Sequence, residues 1–215
     1  MKPKKQHLLT VLILVLTSLL PFSTGHGGSV LQITMDEMLT GSEFVFEGWV
    51  LSVESKQTGP KRIHTFVTCE IKEIIKGEYP EQTITLRFLG GTVGNRTMAV
   101  SDIQVPRDDE RGIYFVESLD TNQVHPLYGW GQGHFTVVTD DTGTNRIMTA
   151  KNLPVTGLSF DAENVQQTNE TGGVKAFSTG VATGLTIEQN RKETKGMPLN
   201  EFKQALRKRL NETNQ

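Results

Sequence analysis

The sequence predicts an all-β protein, a small antiparallel barrel that is followed by a polar linker and a short C-terminal amphipathic helix. Three observations favour this class. About five or six segments have strand-like patterns, turns of glycine, proline and aspartate separate them, and helical spacing of apolar residues appears only after them. The predicted divisions are a signal peptide at residues 1–25, a barrel at 29–158, a linker at 159–196 and a helix at 197–212.

Residues 44–54 predict a first strand about twice the usual length, with both faces largely apolar. Gly48 lies in its middle, and a glycine inside a long strand is typical of a bend or bulge that lets one strand serve two sheets of a small barrel. The polar residues 55–61 are interpreted as the turn that follows.

Residues 62–75 alternate apolar and polar side chains, which predicts a half-buried antiparallel strand with Cys69 on its inward face. The alternation restarts at Ile84, Leu86 and Phe88 and ends at a pair of glycines. A polar stretch at 92–111 is interpreted as turns. Residues 112–117 predict a fourth strand, and 134–139 with 146–149 predict a final hairpin.

Residues 161–195 contain few large apolar groups, so they are predicted to be a linker that cannot offset its chain entropy by burial. After it, Leu199, Phe202, Leu206 and Leu210 fall at helical spacing. A helix of about three turns is too short to be stable alone, so we expect it to dock either on the barrel or on a partner.

The first residues have the order of a secretory signal peptide. Lysines at positions 2, 4 and 5 precede an apolar run at 8–20, and small residues precede a cut before His26. The apolar run is about thirteen residues, shorter than the roughly twenty that span a bilayer. We therefore expect an exported protein, periplasmic or extracellular, without stable membrane insertion after cleavage.

Charge and cysteine content exclude some classes. The net charge is −2 with acids and bases interspersed, which argues against nucleic acid as a partner. Cys69 is the only cysteine, so the domain can form no internal disulfide and its stability must come from core burial.

Residues 42–50, 66–77 and 84–91 resemble the netrin-like module of tissue inhibitors of metalloproteinases, an OB-fold, and more closely the exported bacterial proteins with that strand order. The bacterial pattern continues with a glycine-rich segment, a strand that ends like residues 114–117, and a Gly-Gln-Gly step like residues 131–133. The likeness spans residues 42–138. It implies an OB-like barrel that engages a protein partner, with an exported protease as the partner class.

One property of the animal inhibitors does not transfer. They chelate the protease zinc through an amino-terminal cysteine held by disulfides, whereas this chain has no cysteine near the predicted mature end. Fold analogy alone does not establish function, since one fold hosts many unrelated sites.

Three candidate sites of chemistry have simpler interpretations. His26 at a mature terminus could bind copper, but a flexible tail is favoured because the other histidines lack metal-ligand spacing. Cys69 could be a nucleophile, but its apolar neighbours favour a core position. The acids at 108–110 could bind calcium, but their spacing favours a solvated turn. We therefore predict no catalytic residues, no metal and no cofactor.

The segment at 128–135 has the most function-like composition in the chain, because aromatic side chains set among glycines can present flat contact faces. It supplies the predicted binding residues Tyr128, Trp130, Gln132 and His134. Trp130 could either contact a ligand or plug the open end of the barrel.

The sequence thus predicts a non-catalytic, exported binding module that holds a protein partner, such as a secreted protease, with its barrel-rim loops. Two alternatives stay open. One is a glycan or cell-envelope binding module that uses Tyr128 and Trp130, since OB-folds commonly bind oligosaccharides. The other is a metal-binding protein that uses His26.

Overall fold

The computed structural model of the protein describes residues 30–101, 103–121, 123–161, 180–188 and 195–213. The predicted signal peptide and His26 lie outside these residues. The helices are α1 (Met35–Gly41), α2 (Leu199–Thr213) and a 3-10 turn, Trp130–Gly133. The strands are β1 (Phe44–Gly59), β2 (Arg62–Lys76), β3 (Thr83–Leu89), β4 (Gly91–Val93), β5 (Arg96–Met98), β6 (Arg111–Val116), β7 (His134–Thr139), β8 (Asn145–Thr149), β9 (Val155–Leu158) and β10 (Leu185–Ile187).

Six strands form one antiparallel sheet in the order β3-β2-β1-β6-β7-β8, so the predicted all-β class is confirmed. The predicted barrel is not a closed one, because the edge strands β3 and β8 do not pair with each other in the part of the chain described. The edge of β8 is instead covered by the chain at Pro154 and Pro198, which form isolated bridges with it.

β1 is bent where the sequence places Gly48. Its pairing with β2 shifts register between Glu47 and Gly48 and at three further points, while its first half also pairs with β6. Such bulges increase the local bend and twist of a strand. The register shift agrees with the predicted bulge, but the prediction that β1 serves two sheets is wrong, because β1 pairs with β2 and β6 within one sheet.

Replacing Gly48 with valine is expected to cost about 1 to 3 kcal/mol of stability through overpacking. A β-carbon at this position would lie 2.5 Å from the Phe46 ring and 3.1 Å from the backbone oxygen of Glu70. Urea melts of the variant and of the wild type measure the difference. Equal unfolding midpoints would contradict a close approach at this position.

The predicted turn at 55–61 is wrong, because β1 continues to Gly59 and the reversal occupies only the next two residues. The hairpin extends because its polar side chains pair across the strands. Ser55 and Thr65, for example, hydrogen-bond through their hydroxyl groups at 2.9 Å. The polar stretch at 92–111 likewise contains the small β4–β5 hairpin, which was not predicted.

Alternation along the strands creates two separate apolar cores on opposite faces of the sheet. The inner core includes Phe44, Phe46, Cys69, Phe88 and Tyr114. Cys69 is fully buried there, as its inward position predicts. The helix-side core lies on the other face and is covered by α1 and α2. Its members from the sheet are Val45, Ile75, Ile113, Phe115, Phe135 and Ile147.

Helix α1 was not predicted. Thr34 and Glu37 form a capping box at its start: the Thr34 side chain accepts a bond from the Glu37 backbone N–H, and the Glu37 carboxylate accepts from Thr34 N–H. Met35, Met38 and Leu39 are then buried in the helix-side core. Within the described residues, no helix is long and apolar enough to cross a membrane.

Helix α2 docks on the sheet of its own chain. Leu199, Phe202 and Leu206 are buried in the helix-side core, as their spacing predicts. Beside them, the Lys203 ammonium donates to Glu47 at 2.6 Å and to Glu73 at 2.5 Å. Burial opposes the charged form of Lys203, but these hydrogen bonds and charges outweigh it and raise the Lys203 pKa.

The predicted linker at 159–196 needs a correction at residues 180–188. Leu185–Ile187 form β10, which pairs with β9, and Val181 and Ala182 are buried. The segment is held because Thr183 exchanges backbone hydrogen bonds with Ile33 and Met35. The local composition of a segment does not reveal pairing with residues that are distant in the sequence.

Candidate functional site

Two loops and strand β7 border an open cleft of about 730 Å³, which we call the rim cleft. One wall is the loop at 104–111, another is formed by His134 and residues 136–138 of β7, and the third is the turn at 150–152. A hollow of about 30 Å³ adjoins it at Gln104 and Lys151 and reaches the turn at 129–132. The size is in the range of ligand clefts.

The base of the rim cleft holds an acid–histidine pair. His134 Nε2 lies 2.8 Å from Glu110 Oε1, and the His134 side chain is only 3% exposed. The His134 ring also stacks on the Tyr114 ring, with centroids 5.2 Å apart. These contacts fix His134 from two sides, so this predicted binding residue is a support of the cleft and not an exposed contact.

Trp130 covers a buried histidine at the edge of the rim. Its ring lies parallel to the His125 ring, with centroids 5.4 Å apart and an interplanar angle of 9°. Its backbone adopts φ 61°, in the left-handed region that bulky residues rarely occupy. Trp130 is half-buried: one face rests on the His125 ring, and the side chain also lines the hollow. A ligand contact at Trp130 stays a prediction.

Replacing Trp130 with alanine is expected to reduce the free energy of unfolding by about 2 to 3 kcal/mol, since half-burial removes part of the full cost of truncating an aromatic. Replacing it with glycine is expected to cost about 1 kcal/mol less than alanine, because glycine tolerates the left-handed backbone. Urea melts of both variants measure this. If the alanine variant is more stable than the glycine variant, the backbone at position 130 is not strained.

The other two predicted binding residues hold the rim together. The Gln132 amide donates to the Leu31 and Gly129 carbonyl groups at 3.0 and 3.1 Å and accepts from Ile33 N–H at 3.2 Å. It therefore ties the segment before α1 to the turn. Tyr128 packs on the helix-side core and lies against Gly41, where a β-carbon would come within 2.5 Å of its ring.

Polar atoms without partners gather behind the rim. Solvent does not reach Gln104 Oε1, Tyr114 Oη, His125 Nε2 and His134 Nδ1, and none of them hydrogen-bonds to another described residue. The His125 pKa is lowered to about 3, mainly by burial and in smaller part by the nearby His134, while the bond from Leu127 N–H opposes the shift. His125 is therefore neutral at physiological pH.

Cys69 is predicted to react with thiol reagents only after unfolding. The side chain is fully buried, and burial together with the nearby Glu110 charge raises its pKa to about 12, so little thiolate forms at neutral pH. Timed labelling with a coloured disulfide reagent, in native buffer and in denaturant, measures this. Rapid labelling of the native protein would overturn the assignment.

The acids predicted to form a solvated turn are partly engaged. Asp109 accepts a hydrogen bond from the Trp49 indole at 2.7 Å, and Glu110 contacts His134. Asp108 is exposed. Across the described residues, no three His, Cys, Asp or Glu side chains are placed to hold a metal ion.

Sequence reasoning missed most of the cleft. Gln104, Arg107, Lys151 and Asn152 lie in turns of ordinary composition, and only the fold brings them together. One sequence signal was available for part of it. Asn152 follows a predicted strand end after two residues, and asparagine tolerates the left-handed backbone of a tight turn better than most side chains.

Comparisons with known proteins leave the resemblance to netrin-like modules as a prediction. No family model matches the chain, and no curated protein and no solved structure is similar enough to count as a match.

Proposed function

We propose that the protein is an exported, non-catalytic binding module that holds a protein partner in its rim cleft, with a secreted protease as the partner class. The partner class comes from the resemblance to netrin-like inhibitors. The proposed location of the contact rests on the geometry of the rim cleft and of the turn at 129–132 that lines the adjoining hollow.

One observation carries the proposal. The described part of the chain has three non-glycine residues with positive φ. Asp109 at 61° and Asn152 at 58° line the rim cleft, and Trp130 at 61° lines the hollow that adjoins it. A left-handed backbone costs an L-residue about 1 to 2 kcal/mol, less for asparagine and aspartate. Such conformations cluster at functional sites, where surrounding structure holds a loop in its binding form.

The chemistry of the cleft suits a polypeptide. Arg107 and Asp108 are exposed side chains of opposite charge on one wall, and Lys151 stands on the other. A surface with both signs of charge and several amide groups matches the mixed side chains and backbone of a protein. Glycan stacking is less well served, since one face of the Trp130 ring already rests on His125.

Two features support a non-catalytic role. The raised pKa of Cys69 removes the thiol as a nucleophile at neutral pH. His134 directs Nε2 at Glu110, and no hydroxyl or thiol of a described residue bonds its Nδ1. A nucleophile hydrogen-bonded to its base is the usual requirement for covalent catalysis.

The test is binding of the mature protein to a panel of purified secreted proteases from the metallo, serine, cysteine and aspartic classes, with a glycan array in parallel. We expect one protease class to bind. Arg107→Glu should weaken that binding by about tenfold or more, whereas Lys208→Glu, on an exposed position of α2, should change it less than about twofold. Binding to glycans alone, or equal loss in both variants, would overturn the proposal.

A further inference from the structure

The two edges of the large sheet differ in how their backbone groups are satisfied. At the β8 edge, Ile147 N–H donates to Met197 at 3.0 Å and Thr149 N–H donates to Leu153 at 2.9 Å. At the β3 edge, no described residue hydrogen-bonds the outward backbone groups of the strand. An open edge of this kind is a template for another strand.

The register identifies the outward residues of β3. Ile71 N–H donates to Gln82 and Gly90 N–H donates to Ile63, both at 2.8 Å, so these two pairs are hydrogen-bonded pairs of the β2–β3 ladder. Hydrogen-bonded pairs alternate along an antiparallel ladder. The backbone N–H and C=O groups of Ile84, Leu86 and Phe88 therefore point towards β2. The N–H and C=O groups of Thr85 and Arg87 therefore point away from the sheet.

Of the usual protections against pairing, this edge has the charge of Arg87 but neither a proline nor a bulge. β3 has seven residues, contains no proline, and pairs with β2 without a register shift. Natural sheets commonly block an exposed edge with proline, a bulge, a lysine or a covering loop. The opposite edge, β8, does have such a cover, which is formed by the segments at Pro154 and Pro198.

A groove of about 140 Å³ runs beside the open edge, between β3 and residues 116–126. Its apolar lining includes Leu86, Val116 and Leu119. The groove is half-open to solvent, and its lining also includes polar side chains such as Ser118 and Gln123. Arg87 is the charged residue among the described residues that line the groove, and no acid lines it.

We propose that the β3 edge binds one extended segment of a partner protein as an additional strand. Backbone groups of the segment pair with Thr85 and Arg87, one apolar side chain enters the groove, and an acidic side chain lies beside Arg87. A second copy of β3 would bring another Arg87 to this edge, and like charges across paired strands are destabilising, which argues against self-pairing. The groove shares no lining residue with the rim cleft, so this inference is independent of the proposed function.

The test uses a phage-displayed library of random decapeptides selected on the native full-length protein, with selected peptides then measured by fluorescence polarisation. Thr85→Pro removes the outward N–H, while the matched control Thr85→Val keeps it. Both variants lose the Thr85–Thr68 hydroxyl contact of 3.0 Å, so the comparison isolates the backbone donor. An outward N–H at an edge is a position where a sheet tolerates proline.

We expect enriched peptides that carry an acid and alternating apolar residues. Thr85→Val should bind them within about threefold of wild type, and Thr85→Pro should bind them about tenfold more weakly or worse. Arg87→Glu leaves the backbone intact and should also weaken peptide binding about fivefold or more. This variant replaces Thr85→Pro as the test if the proline variant is too unstable to measure. No enrichment, equal binding by the two Thr85 variants, or dimerisation that Thr85→Pro abolishes would each overturn the proposal.

Discussion

Acidification from pH 7 to about pH 3.5 is expected to remove about 4 kcal/mol of stability through His125 alone. The buried imidazole is neutral in the folded protein, where its pKa is lowered from 6.5 to about 3. An unfolded chain binds a proton at this residue below about pH 6.5. The contribution of neutral His125 is therefore fully present above that pH and is lost as the pH falls towards 3.

The matched control is His125→Asn, whose side-chain oxygen can accept the bond that Leu127 N–H makes to His125 Nδ1 at 3.2 Å. Asparagine does not titrate, so the variant should lose less stability than the wild type over the same pH range. Urea melts between pH 7 and about pH 3.5 give both curves. Parallel curves would show that His125 is not the group that senses acid.

Replacing Lys203 with methionine is expected to cost about 3 kcal/mol of stability, because it leaves the Glu47 carboxylate buried with one of its two cationic partners. Glu47 is 2% exposed and contacts both Lys203 and Arg111. The remaining Arg111 contact, at 2.8 and 2.5 Å, keeps the loss at the lower end of the range for a broken buried pair. Urea melts measure it.

Lys208→Met is the control on the same helix, since Lys208 is 81% exposed, and it should change stability by less than about 0.5 kcal/mol. Adding Glu47→Leu to Lys203→Met should recover at least about half of the loss, because an apolar pair avoids the unpaired charge. If Lys203→Met and the wild type unfold at the same urea concentration, the buried charge pair does not hold α2 on the sheet.

The strands were predictable wherever one face of the sheet is buried. Residues 65–70 and 83–89 alternate in burial, because one side packs in the inner core and the other is less buried. The helical spacing of Leu199, Phe202 and Leu206 was informative for the same reason. In these segments the apolar residues recur with the period of the strand or helix, because one face of the element is buried.

Other elements are set by contacts that have no local period. The outer half of β1 is polar on both faces and is held by its partner strand, so residues 55–59 resemble a turn in composition. Helix α1 has only seven residues, too few for a clear period, and β10 depends on pairing with β9. The sequence also did not show that the barrel stays open, because this depends on which segments lie beside the edge strands β3 and β8.

The candidate site was only partly predictable. The aromatic residues and glycines at 128–135 indicated a functional loop, and Trp130 does border the hollow beside the rim cleft. However, Arg107 and Lys151 are far apart in sequence and their types are common on surfaces. The open edge of β3 could not be predicted either, because it depends on the absence of a neighbouring strand among the described residues.

Site-specific photo-crosslinking in the producing cells tests the rim cleft most directly. A photoreactive phenylalanine analogue would replace Arg107 at the cleft or, as the control, Lys208 on α2, and crosslinked partners would be identified by mass spectrometry. We expect the Arg107 position to capture a secreted protease that the Lys208 position does not. Equal capture at both positions, or a cleft that crosslinks to no protein, would contradict a partner-binding role for the rim.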